Sequence, residues 1–102
     1  MTNLTSKQRS FLRGLAHDLD PLFQIGKNGF TPEITEAVSE ALETKELLKI
    51  NVLKNCSEDP KEIGPMLAER TRSTLVQVMG RRITLYKEST DNKTIEIPKA
   101  KK

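Results

Sequence analysis

Tryptophan is absent from this chain of 102 residues, and cysteine, histidine and tyrosine occur once each. A single cysteine, Cys56, excludes an internal disulfide. Together with the single histidine, His17, it cannot assemble the Cys/His ligand set of a structural zinc site. A reducing, cytoplasmic setting is therefore expected. Nucleophilic catalysis asks for a Ser or Cys beside a His and an orienting acid. His17 instead lies in line with two arginines, so enzymatic activity is not expected, nor is a cofactor or metal. No apolar run approaches the ~20 residues of a membrane-spanning helix. The opening Met-Thr-Asn-Leu-Thr-Ser-Lys has no signal-peptide apolar segment. The four aromatic residues are Phe11, Phe23, Phe30 and Tyr86, which limits any mode of recognition that depends on stacking. Phe11 and Phe23 fall at core positions, and Phe30, directly after the glycine loop, is placed either to staple the start of a helix or to stack on a base, with the staple favoured.

Charge is plentiful and uneven. The net charge of +3 is modest, but residues 30–46 carry Glu33, Glu36, Glu40, Glu43 and Glu46 against Lys45. Residues 70–87 carry Arg70, Arg72, Arg81, Arg82 and Lys87 without an acid, and residues 1–29 add Lys7, Arg9, Arg13 and Lys27 against Asp18 and Asp20. Such polarity suits a domain that turns a basic face to a polyanion. One-sign helix faces can also be simple solvated surface.

The apolar pattern predicts one α/β domain. After Leu4-Thr5-Ser6, Phe11, Leu12, Leu15 and Ala16 form one side of a helix, and Arg9, Arg13 and His17 form a second stripe at i, i+4 and i+8. Asp20-Pro21 ends that element, and Leu22–Ile25 reads as a short strand. Ile34, Ala37, Val38, Ala41 and Leu42 make a helical core stripe that ends near Thr44. Leu47–Leu53 alternates as a strand. Asp59-Pro60 opens a third helix that Gly64-Pro65 is expected to delay or kink. Thr74–Met79 and Ile83–Lys87 form a hairpin with a doubly basic tip at Arg81 and Arg82. The order α-β-α-β-α-β-β implies a single compact domain, a four-stranded mixed sheet with three helices over at least one face. The domain is expected to span residues 1–87. Residues 88–102 read as a polar, basic, flexible tail, with a further short strand possible at Thr94–Ile97.

The most informative stretch joins the first strand to the second helix. Gly26-Lys27-Asn28-Gly29 turns sharply between two glycines, and Thr31-Pro32-Glu33 then caps a helix. Glycines let the main chain turn without a Cβ, so that a ligand can approach the backbone. The helix N-terminus and Lys27 add positive potential. This is the pattern of an anion-binding corner, with an RNA phosphate as the expected anion. It is not the G-x-x-x-x-G-K-[ST] pattern of nucleotide hydrolases.

Three segments in order resemble one family. Lys7-Gln8-Arg9-Ser10-Phe11-Leu12-Arg13, Gln24–Thr31 and Val76–Lys87 are similar to the corresponding motifs of the CRM domain (chloroplast RNA splicing and ribosome maturation). The resemblance covers roughly Leu4 to Lys87, and as a whole the chain is similar to the free-standing bacterial members. It implies an α/β fold with a four-stranded sheet and a glycine loop like that of KH domains. It also implies RNA binding, for the bacterial members to precursors of the large ribosomal subunit. On this resemblance Gly26, Lys27, Asn28 and Gly29 match the RNA-contacting loop, and Lys7, Arg9 and Arg13 the supporting basic patch. Arg81 and Arg82 are further candidates, and a monomer is expected. Two departures from the family's pattern concern the third helix: Gly64-Pro65 interrupts it, and Arg70–Thr74 follows it where a glycine is usual. The competing expectation is a protein-interaction module whose acidic helix (Glu36, Glu40, Glu43) docks a basic ribosomal protein.

Overall fold

The computed structural model describes residues 4–88 and Ile95. Its elements follow the order α1 (Ser6–His17), β1 (Phe23–Ile25), α2 (Pro32–Lys45), β2 (Leu47–Val52), α3 (Pro60–Thr71), β3 (Thr74–Met79) and β4 (Arg82–Tyr86). The strands form one mixed sheet in the order β1-β2-β4-β3. β1 runs parallel to β2, and β4 is antiparallel to both β2 and β3. The expected tail over 88–102 and the strand at Thr94–Ile97 lie outside the described residues, apart from Glu88 and Ile95.

Helices cover both faces of the sheet. On one face Ile25, Leu48, Ile50, Val52, Ile83 and Leu85 pack with Val38 and Leu42 of α2 and Ile63 and Leu67 of α3. On the other, Leu12 and Ala16 of α1 pack with Leu47, Val76 and Tyr86. β2 therefore departs from the alternation of a half-buried strand. Lys49 is buried beneath α1, and its ammonium donates to the His17 carbonyl at 3.3 Å.

Each helix starts where the sequence supplies a cap. Thr5 forms a capping box with Gln8, and Thr31 Oγ1 accepts from the Ile34 amide at 3.2 Å. The third helix corrects the expectation of a delayed start. It begins at Pro60, with Asp59 Oδ1 accepting from the Lys61 amide at 2.9 Å, and continues through Pro65 to Thr71. The first four amides of a helix have no intrahelical acceptor. Pro65, the sixth helical residue, lies just past these four, so its missing N–H deletes the one bond that would go to the Lys61 carbonyl, and the helix continues regardless. Gly64 has a packing role: a Cβ there would meet Val78 Cγ2 at 2.9 Å and Leu75 Cδ1 at 3.2 Å.

The helix stops at Arg72, in the left-handed conformation (φ 57, ψ 36) that glycine usually occupies at this place. The Ser73 amide reaches back to the Ala68 carbonyl at 2.8 Å. The buried hydroxyls of Thr71 and Ser73 pair at 2.7 Å, and Thr71 also reaches the Leu67 carbonyl. Here an arginine takes up a glycine's backbone geometry, and the turn forms without one.

Candidate nucleic-acid interface

Gly26–Gly29 forms a closed turn, in which the Gly29 amide donates to the Gly26 carbonyl at 2.9 Å and Gly29 adopts φ +69. Lys27 and Asn28 stand exposed at its tip. Neither of their amides donates to any atom among the described residues. A cleft of about 300 Å³ opens beside the turn, lined by Gln24, Gly26, Lys27, Asn28, Thr31 and Glu33 among others.

The two glycines face inward. A Cβ on Gly26 would meet Leu53 Cδ1 at 3.3 Å and Asn55 Oδ1 at 3.4 Å, and one on Gly29 would collide with Glu58 Oε1. What approaches the backbone at these positions is the protein's own β2–α3 loop. Glu58 also accepts from the Phe30 amide at 2.7 Å. The start of α2 thus already meets the Thr31 hydroxyl, the Glu58 carboxylate and, in its first turn, Glu33. Three oxygen-bearing groups there weaken the attraction of the helix end for an external anion. The sequence pattern expects the loop amides, the helix N-terminus and Lys27 to act together here; with these oxygens in place the helix end contributes less, and the Lys27 ammonium and the two tip amides remain open to solvent.

Phe30 packs against the core beneath α2 and α3, and the Arg70 guanidinium lies 5.1 Å from its ring centroid. The ring serves packing and a cation–π contact. Arg70 is the basic residue whose place near the loop the sequence pattern did not reveal, because the approach depends on the packing of α3 against α2. Arg70 and Arg72 lie at the start of β3, whereas Arg81 and Arg82 lie at its far end. The acid-free run from 70 to 87 is therefore split in space.

The arginines divide into two kinds. Arg9 Nη1 donates to the Leu75 and Val76 carbonyls, where the register of β3 on β4 slips at a bulge. A bulge interrupts the ladder and leaves backbone groups to be satisfied from elsewhere, and Arg9 supplies donors there. Arg81 follows Gly80 (φ +60) in a two-residue hairpin turn. It folds back to give Nε to the Val52 carbonyl at 2.8 Å and Nη2 to the Leu53 carbonyl at 2.7 Å. Half-buried, both side chains fasten one element to another. The expected basic stripe on α1 and the doubly basic hairpin tip are each reduced by one member. Lys7, Arg13, Lys27 and Arg82 are exposed, and none makes an ion pair with the described residues.

The family model described as the CRS1 / YhbY (CRM) domain matches residues 4–87. The chain belongs to this family. It is 50% identical over 95 residues to "Probable RNA-binding protein YqeI" of Bacillus subtilis, covering 93% of this chain and 99% of the relative. It is 35% identical over 99 residues to "RNA-binding protein" of Haemophilus influenzae, covering 97% and 99%. The solution structure of protein SAV1595 from Staphylococcus aureus shares 49% identity and superposes with a TM-score of 0.79, over 94% of this chain and all of that one. The compact α/β domain with three helices and a four-stranded mixed sheet is thus the fold of a structural relative, and RNA binding is the activity for which the relatives are named.

Among the described residues, no helix is long and apolar enough to cross a membrane.

Proposed function

We propose that this CRM-domain protein binds ribosomal RNA in precursors of the large ribosomal subunit, as a cytoplasmic, non-catalytic monomer. The observation that carries this reading is the tip of the Gly26–Gly29 turn. Lys27 and Asn28 project into solvent with unused amides, above glycines locked in place by the β2–α3 loop. A rigid turn that presents N–H donors and one ammonium can hold a phosphate without being ordered by it. Arg13, Lys7 and Arg82 extend the positive surface. Arg9 and Arg81 act by fixing the fold beneath it.

Such an interface binds mainly through phosphates, with a steep salt dependence and little intrinsic choice of sequence. The test is binding to large-subunit ribosomal RNA fragments over a salt series, comparing wild type with Lys27→Ala plus Asn28→Asp. Both changes are at exposed positions and leave the inward-facing glycines alone. The proposal expects a loss of at least about tenfold in affinity and a salt slope shallower by about one. Unchanged binding by the folded variant would remove the loop from the interface. The competing reading, docking of a basic protein on α2, predicts no effect of these changes. One member of that acidic face, Glu43, is already paired with Lys87 at 3.3 Å.

A further inference from the structure

One row of paired residues crosses the whole sheet at the end that carries the glycine loop. Gln24 pairs with Asn51, Asn51 with Arg82, and Arg82 with Met79. Paired positions on neighbouring strands project to the same face. That face is the one α1 covers, because the neighbouring positions Phe23, Ile25, Ile50, Val52, Val78 and Ile83 pack into the opposite core. Yet α1 packs none of its core residues in a cluster with this row. Its buried residues, Leu12 and Ala16, sit over Leu47, Val76 and Tyr86 towards the other end of the sheet. Gln24 and Arg82 are exposed, Asn51 is half-buried, and Met79 is 63% exposed, well above the other outward-facing large apolar residues.

Basic side chains stand near the row, and one acid, Glu33, borders the cleft at its Gln24 end. Leu15 and Leu19 border Lys45 and Leu47 on one flank of α1, which directs the Arg13 and His17 flank towards the row. The contact of Lys49 with the His17 carbonyl fixes that end of α1 only two residues before Asn51. On the other side, Gln24 lies two residues before Gly26 and borders the cleft beside the loop. The row therefore runs directly from the proposed phosphate-holding turn.

We infer that this row is where the bases of a single-stranded RNA segment lie while the loop tip holds its backbone. The inference rests on the RNA-binding reading above and extends it from backbone to base. At a strand spacing of about 4.8 Å the row is about 14 Å long, room for two or three splayed bases. Gln24 and Asn51 each present a paired donor and acceptor suited to base edges, and Arg82 presents a planar guanidinium that can stack or donate. Met79 offers a polarisable apolar platform at the end. The row contains a cation and no acid, which favours a polyanionic strand over an acidic-patch-seeking basic protein.

The test uses the full chain and fluorescent oligoribonucleotides of about 12 nucleotides: oligoadenylate, oligouridylate and an abasic ribose-phosphate strand. The variant is Asn51→Ala with Met79→Ala, its fold checked by circular dichroism. The inference expects wild type to prefer base-bearing strands to the abasic one. It also expects the variant to lose about tenfold in affinity for the base-bearing strands alone, with an unchanged salt slope. Lys27→Ala should weaken all three strands and flatten the slope. If wild type binds base-bearing and abasic strands equally, or the variant matches wild type on all of them, the row carries no bases and the loop reading stands. If wild type binds none of the strands, the RNA reading falls and this inference with it. If polyglutamate binds wild type and the variant loses that binding while keeping RNA, the row is a protein-docking surface instead.

Discussion

The Glu58 carboxylate accepts the Phe30 amide proton at 2.7 Å, directly beneath the glycine turn. This bond brings an internal anion to the place where the backbone pattern alone invites an external one. The acid anchors the turn from below and leaves the tip residues, Lys27 and Asn28, to face solvent.

Gly29→Ala should therefore damage the loop rather than probe its ligand. The new Cβ would collide with the Glu58 carboxylate and would occupy a left-handed conformation at φ +69. The conformational cost alone is about 1–2 kcal/mol. Chemical denaturation should show at least that loss for Gly29→Ala, whereas Lys27→Ala, at an exposed position, should stay within about 0.5 kcal/mol of wild type. Equal stability of the two variants would contradict the inward-facing role of Gly29.

Those same residues mark where the sequence was readable and where it was not. The order of elements, the four-stranded sheet and the helix caps were legible because they follow from local signals: Thr31-Pro32, Asp59-Pro60, and the apolar stripe from Ile34 to Leu42. The partner of the glycines was not legible, since Glu58 reaches Phe30 across 28 residues of chain. Nor could sequence separate Arg81 from Arg82. Adjacent in the chain, they diverge because one lies in the turn beside the end of β2 and the other in a strand. The third helix departs from expectation for a local reason: Gly64-Pro65 reads as a break, but the helix loses only one bond there while Gly64 packs closely on β3.

That divergence between neighbouring arginines is measurable. Arg81→Ala should cost about 2 kcal/mol, because two charge-assisted bonds to the Val52 and Leu53 carbonyls are lost together. Arg81→Lys should recover little, since an ammonium cannot reproduce the two-pronged geometry. Arg82→Ala should leave stability within about 0.5 kcal/mol of wild type. In RNA titrations the order should reverse, with Arg82→Ala flattening the salt slope by about one and folded Arg81→Lys leaving it unchanged. A stability loss for Arg82→Ala as large as that for Arg81→Ala would overturn the division.

Arg72→Gly is expected to stabilise the protein. Arg72 is exposed and holds φ 57 at the C-terminus of α3, a conformation that costs a residue with a Cβ about 1–2 kcal/mol. Glycine adopts it freely, although its looser unfolded chain offsets part of the gain. A net increase of about 1 kcal/mol should raise the thermal midpoint by about 4 °C or more. The Thr71–Ser73 hydroxyl pair and the Ser73 amide bond to Ala68 should persist, so the helix end itself should not move. A lower midpoint for the glycine variant would show that the Arg72 side chain makes a stabilising contact outweighing its backbone strain.

Tyr86, the sole tyrosine, supplies a pH-dependent prediction. Burial against α1, reinforced by the negative charges of Glu46 and then Glu88, pushes its hydroxyl up to about 12 from the ordinary value of 10.0. Between these values the unfolded chain releases the phenolic proton while the folded protein keeps it. The folded state then binds more protons than the unfolded one, so stability falls as pH rises through this window. The contribution is fully present below about pH 10 and amounts to roughly 3 kcal/mol, all of it lost by the time the folded tyrosine ionises. Tyrosinate absorbance should accordingly rise near pH 12 in the folded protein. Urea unfolding of Tyr86→Phe should show a shallower decline in stability over pH 10–12 than wild type. Identical alkaline profiles for the two proteins would mean that Tyr86 ionises no less readily in the fold than in the open chain.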